Sequence, residues 1–191
     1  MQISFYVLHN PQYGNNTSSS SPHGGLLDFV CKLTQTVLKK SELSLVIVDD
    51  NPERLALLDE QLWDFEPTSF IPHSLIPSSP SKDSATAESS LEGTTPPTHA
   101  ATTLNGQDAT QDLTAPVILT QQLPIGFDGV ILNLAATPLA IPAPNATSEA
   151  KVSPERVLEI IAPDELSKQQ GRDKYQHYKS LGFELIYYPI K

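Results

Sequence analysis

Leu43–Val48 reads LSLVIV, an apolar and β-branched run interrupted only by Ser44. A strand of this kind has no polar face to turn to water, so it belongs inside a parallel sheet covered by helices on both sides. The neighbouring segments supply such a setting. Ile3–His9 (ISFYVLH) is a second β-prone run, closed by the turn residues Asn10, Pro11 and Gly14. Between the two, Gly25–Lys40 repeats Leu26, Leu27, Val30, Leu33 and Val37 as a helical stripe, with basic residues in its last turn. Asp50 or Asn51 then caps a helix that Pro52 opens and that runs to about Trp63, carrying Leu55, Leu57, Leu58 and Leu62. Extended segments follow at Ser69–Leu75, Pro116–Thr120, Asp128–Leu134 and Phe183–Tyr188. Ser153 or Pro154 starts a brief helical turn into Val157–Ile161, and a longer helix runs from Pro163 to Gly182. The order β-α-β-α-β…β-β-α-β predicts an α/β fold: an open, mostly parallel sheet with helices on both faces, a Rossmann-like three-layer α/β/α arrangement without a nucleotide site.

The 191 residues suit a single α/β domain, 1–191, with two interruptions. Residues 77–115 are almost entirely Ser, Thr, Pro, Ala, Gly, Asn, Gln and acids, with Leu91, Leu104 and Leu113 as the only large apolar groups. That composition buries too little surface to offset its ordering entropy, so a disordered insertion is expected. Residues 136–153, rich in Pro and Ala, read as a shorter loop expansion.

Several function classes fall away on composition. The lone Cys31 excludes a disulfide framework and a thiolate metal site, and fits a reducing cytoplasm. His9, His23, His73, His99 and His177 show no ligand spacing, so no metal is expected. No run approaches the ~20 apolar residues of a membrane span, and the first ten residues do not look like a secretory leader. The net charge of −10 argues against strong direct binding of DNA. Residues 164–191 nonetheless hold five Lys/Arg against four acids, so this one segment is +1 and the rest of the chain carries −11. No glycine-rich phosphate loop and no nucleophile elbow is present, and no catalytic residue or cofactor is expected.

One stretch carries an enzyme-like signal. LVIVDDNPERLALL (45–58) resembles the start of a phosphoacceptor receiver, in which paired acids at a strand end hold Mg²⁺. A degenerate receiver-like signalling domain using Asp49 and Asp50 is therefore the alternative reading. The acceptor strand, however, offers Asn133 where an Asp is required, and no strand ends in the necessary Lys. Capping of the following helix by both acids is the simpler account.

Two segments look suited to recognising a partner. At 100° per residue, Lys168, Arg172, Tyr175 and Lys179 fall within an arc of about 60° on the last helix, while Gly171, Tyr178 and Leu181 face the sheet. A basic stripe beside an aromatic rim fits a peptide with carboxylates and an aromatic end, and it equally fits a plain solvated helix face. In LDEQLWDFEPTSFIPHSLI (58–76), Trp63, Phe65 and Phe70 cluster where a helix gives way to a Pro-containing loop. They are either interface anchors or aromatics folded back on the core.

L-D-E-x-L-W over Leu58–Trp63, S-F-I-P-H over Ser69–His73, and R-x-x-Y-x-x-Y-x-x-x-G-F through Arg172, Tyr175, Tyr178, Gly182 and Phe183 together resemble the chi subunit of bacterial DNA polymerase III. The likeness does not extend to 77–115 or 136–153. It implies a non-catalytic clamp-loader accessory protein of the bacterial cytoplasm, nucleotide-binding-like in fold but without nucleotide. Its implied partners are the psi subunit and the acidic, Phe-ended tail of single-stranded DNA-binding protein. Trp63 and Phe70 would lie on the psi-facing surface, which a helicase can also occupy. Ile161, Arg172, Tyr175 and the position of Gln176 would form the tail pocket. Gln176 departs from the basic residue usual there, with Lys179 or Lys174 as the compensating charge.

Overall fold

The structure, a computed structural model, describes residues 1–14, 25–65, 70–76, 115–144 and 153–191. All of them belong to one compact unit, Met1–Ser78 with Leu113–Lys191. Of the two expected interruptions, 77–115 lies outside the described residues except for Ala115, and 136–153 does so over 145–152.

In chain order the elements are β1 (Gln2–Leu8), α1 (Leu26–Lys40), β2 (Leu45–Val48), α2 (Pro52–Asp64), β3 (His73–Leu75), β4 (Val117–Thr120), β5 (Val130–Asn133), β6 (Arg156–Ile161), α3 (Glu165–Ser180) and β7 (Glu184–Ile190). The strands form a seven-stranded sheet in the order β3-β4-β2-β5-β6-β1-β7. Every pairing is parallel, as in Val46↔Ile118, Val46↔Ile131 and Phe5↔Tyr187. The all-apolar β2 sits near the middle of this sheet and is buried at every position, which answers the demand its sequence makes.

Alternation along each strand splits the core in two. Leu45, Ile47, Leu119, Leu132 and Leu158 face α1 and α2, where Val30, Cys31, Leu33, Leu55, Leu58 and Leu62 meet them. Ile3, Phe5, Val46, Val48, Ile131, Val157 and Ile161 face the opposite side, with Tyr178 of α3 and Phe183. Leu139 and Ile141 also enter this second core, so the described part of the Pro/Ala-rich stretch 136–153 covers part of the sheet face that α3 leaves open.

The segment expected to turn helically into Val157–Ile161 is instead β6, paired in parallel with β5 on one side and β1 on the other. Four apolar residues around a central Glu159 give no clear period to read, and here tertiary burial decides. Val157, Leu158 and Ile161 are each under a tenth exposed. Burying such side chains contributes about 1.5–3 kcal/mol apiece, well above the few tenths of a kcal/mol that separate local propensities.

Candidate functional site

Helix α3 begins at Asp164, whose side chain accepts from the Ser167 amide at 2.9 Å. Its inner ridge is Gly171, Lys174 and Tyr178, all buried over β6. Gly171 is glycine for a steric reason: a Cβ there would meet Ile161 Cδ1 at 2.3 Å and Cγ1 at 2.8 Å. Helix and strand approach closely at that point, and Ile161 lies beneath the helix as its support, only 8% exposed.

The outer flank of α3 carries the stripe. Tyr175 leans on Phe5 of β1, with ring centroids 5.7 Å apart, and stays 41% exposed. Lys179 Nζ stands 5.8 Å from the centre of the Tyr175 ring, within cation–π reach. Arg172 is exposed and spends one N–H on Gln169 Oε1 at 3.2 Å. Gln176 is exposed beside it. Lys168 is half-buried and donates to Glu165 Oε1 at 2.7 Å, which holds the Glu165 carboxyl below its ordinary range. The exposed part of the stripe is therefore Arg172, Tyr175, Gln176 and Lys179. Lys174 cannot stand in for a missing base at Gln176, because it is buried and paired.

Its partner is Glu159, fully buried in β6 and unnoticed in the sequence because that stretch does not read as a strand. Glu159 Oε2 accepts from Lys174 Nζ at 2.8 Å; Oε1 accepts from the Tyr178 hydroxyl at 2.7 Å and from Asn133 Nδ2 at 2.9 Å. The Tyr178 oxygen in turn accepts from the Leu139 amide at 2.8 Å, and Asn133 Nδ2 also reaches Thr137 O at 3.1 Å. Burial, with the Glu159 charge and hydrogen bond, holds the Tyr178 hydroxyl far above its usual range. The cluster ties α3, β5, β6 and the loop after β5 together. The spacing of Lys174 and Tyr178 was its one readable trace: four residues apart, they share a helix face.

The paired acids after β2 have separate duties. Asn51 is the cap of α2, accepting from the Glu53 and Arg54 amides at 3.0 and 3.2 Å. The expectation that both acids cap the helix is corrected accordingly. Asp49 is fully buried and grips Arg54 through Nε and through Nη2 at 2.7 Å, while Nη2 also donates to Leu134 O at 2.9 Å. Hydrogen bonding to Asp49 keeps the Arg54 pKa above its normal value. Asp50 Oδ2 accepts from the Ala136 amide at 3.1 Å. Among the described residues, no three His, Cys, Asp or Glu are grouped as a metal site would need.

A crevice of about 200 Å³ opens at the carboxyl ends of β2, β5 and β6, lined by Asn51, Arg54, Ala136, Ser167 and Lys174 among others. Open α/β sheets receive ligands at this position. Here its two cations are committed to Asp49 and Glu159, and Asn51 and Asp164 already occupy the helix N-termini. The free donors that cradle a phosphate are thus largely taken.

At the far end of the sheet, Trp63 at the end of α2 is 59% exposed and Phe70 is 56% exposed, with ring centroids 4.9 Å apart. The His73 ring, itself in contact with Trp63 at 5.1 Å, sits behind them. Its Nδ1 lies 2.7 Å from Ile71 O; its Nε2 lies 3.2 Å from Asp59 Oδ1 but is not aligned for a hydrogen bond. Leu57 and Leu75 are also exposed. Phe65 turns inward and packs on the core beside α1 and α2. The aromatic cluster thus divides, with Trp63 and Phe70 exposed and Phe65 folded back on the core. Ser69 lies outside the described residues.

The fold and these surfaces define a Rossmann-like α/β domain with an aromatic patch at one end of its sheet and a basic, aromatic stripe at the other. The family model for the DNA polymerase III chi subunit, HolC, matches residues 1–186, and the chain belongs to that family. It is therefore an accessory protein of DNA replication. No curated protein matches. Among solved structures, the chain is similar to S. cerevisiae Dbp5 bound to Nup159, Gle1, IP6 and ADP, at 10% identity and a TM-score of 0.48. The match covers 98% of this chain and 42% of that one, and at this level it carries no argument about function. No described helix is long and apolar enough to cross a membrane.

Proposed function

We propose that this chain is a non-catalytic adaptor linking the polymerase III clamp loader, through the psi subunit, to the acidic C-terminal tail of single-stranded DNA-binding protein in the bacterial cytoplasm. The observation that carries the reading is the separation of its two exposed surfaces. The Trp63–Phe70 pair lies beside β3, one edge of the sheet, and the α3 stripe overhangs β1 and β7, the other edge. Five strand spacings of about 4.8 Å, from β3 to the β1 strand beneath Tyr175, put them roughly 24 Å apart, far enough for two partners at once.

Each surface has chemistry suited to its partner. An exposed Trp–Phe pair is a desolvation anchor for an apolar partner such as psi, and a helicase would compete for the same aromatics. Arg172 offers a forked donor to a carboxylate, Lys179 adds charge, and Tyr175 supports an aromatic side chain. With Gln176 neutral, the charge for the tail falls on Arg172 and Lys179. The test is a pull-down with an acidic, Phe-ended peptide and, separately, with psi. Arg172→Ala should lose the peptide and keep psi, and Trp63→Ala should do the reverse. Equal retention of both partners by both variants would rule the assignments out.

A further inference from the structure

Strand β7 is the last strand of the sheet, and among the described residues it pairs with β1 alone. Ile190 O accepts from the His9 amide at 2.9 Å, so Ile190 turns its backbone groups toward β1. By the alternation of a strand, Ile186 and Tyr188 do likewise, while Leu185, Tyr187 and Pro189 turn theirs outward. The open edge therefore offers amide donors at Leu185 and Tyr187 and carbonyl acceptors at Leu185, Tyr187 and Pro189. Pro189 has no N–H to offer, which is the usual way a proline is accommodated on an edge. Two donors are few for a lasting sheet between copies of the chain, but enough for a short added strand.

Side chains on the α3 side of this edge extend the stripe. Tyr187 is in register with Phe5, the residue on which Tyr175 rests, so it lies on the same face, and it is 56% exposed. Leu185, in register with Ile3, is half-buried against the same core. The result is a trough with Leu185 and Tyr187 as its floor and Arg172, Tyr175 and Lys179 as its wall, the buried Phe5 lying beneath Tyr175.

We propose that this trough takes a short acidic peptide in extended conformation, its main chain added to the free edge of β7 and its side chains set between Tyr187 and the Arg172–Tyr175–Lys179 wall. The choice of occupant rests on the reading of the α3 stripe given above and on charge: this wall bears exposed cations on a chain of net charge −10. Main-chain pairing supplies affinity independent of side chains, the cations select acidic sequences, and Tyr187 becomes a further specificity residue.

The test is a titration of the full chain with synthetic acidic peptides ending in Phe, N-methylated at one backbone position at a time. Strand addition predicts a period of two. Methylation at one parity removes a hydrogen bond and inserts bulk, weakening binding about tenfold or more, and the other parity leaves it within about twofold. Tyr187→Ala should weaken binding about fivefold or more. If the unmodified peptide binds and depends on Arg172 but the methyl scan is flat, strand addition is overturned while the stripe reading stands. If the unmodified peptide does not bind at all, both fall. A dimer in solution that peptide does not dissociate would put a second copy on β7, and that too overturns the proposal.

Discussion

Replacing Glu159 with Gln is the most informative single change to the core. Glu159 is fully buried and accepts from Lys174, Tyr178 and Asn133 at 2.7–2.9 Å. The amide keeps the shape but cannot neutralise Lys174, which is only 4% exposed. Its NH₂ also faces donors that need acceptors. Stranding one member of a buried pair costs about 3–5 kcal/mol, against a total stability of about 5–15 kcal/mol for such a domain. In a domain of this size that corresponds to a fall in Tm of roughly 10 °C. Urea unfolding followed by Trp63 fluorescence and by circular dichroism should show a lower midpoint with an unchanged slope. Lys174→Met should cost less alone, since Glu159 keeps the hydrogen bonds from Tyr178 and Asn133. Glu159→Leu combined with Lys174→Met should recover much of the loss, because a buried pair is often replaced by apolar groups at little net cost. A change below about 0.5 kcal/mol for Glu159→Gln would refute the view that this pair holds α3 to the sheet.

Other outcomes follow from the same geometry. Gly171→Val should destabilise by about 2–3 kcal/mol in thermal unfolding, since its Cβ falls within 2.3 Å of Ile161 Cδ1; a neutral result would mean that β6 and α3 separate freely. Burial, reinforced by Asp28, pushes the Cys31 thiol up to about 12 from 9.0, and Tyr178 is raised above 10.0. Both folded-state values are raised, so their stabilisation is complete below pH ~9 and is lost as pH rises beyond it, at up to about 1.4 kcal/mol per unit for each group. Urea midpoints should be level from about pH 8 to 9 and then decline, and a level profile to about pH 10.5 would contradict this. Native Cys31 should resist thiol reagents until the chain unfolds. Peptide affinity should drop as salt is raised from about 0.05 to 0.5 M, because the stripe is exposed; salt-independent binding would move recognition off Arg172 and Lys179.

The parts of the fold that the sequence reveals are those with a period or a cap. β2 is legible because it is apolar without a break, α1 because of its stripe, and α2 because Pro52 and Asn51 mark its start. β6 escapes because Arg156–Ile161 is short and has no alternation to separate strand from helix. With it escapes Glu159, whose role exists only once α3 lies on top of it. Leu139 and Ile141 sit among prolines and alanines with no period to mark them, and their burial follows from packing on the sheet face opposite α1 and α2. The candidate surfaces were more accessible, since a stripe is a matter of helical spacing and Trp63 is the only tryptophan. Spacing does not reveal which residues are spoken for. Lys168 is tied to Glu165, Lys174 to Glu159, and Phe65 turns into the core, which leaves Arg172, Tyr175, Gln176 and Lys179 on one side and Trp63 with Phe70 on the other.

The claim that two partners are held on opposite edges is tested most directly by the affinity of the acidic tail peptide measured with and without saturating psi. Sites roughly 24 Å apart on one sheet predict the same Kd within about twofold, and a ternary complex at saturation. Loss of peptide binding on adding psi would mean that both compete for one surface, and the chain would not be a bridge.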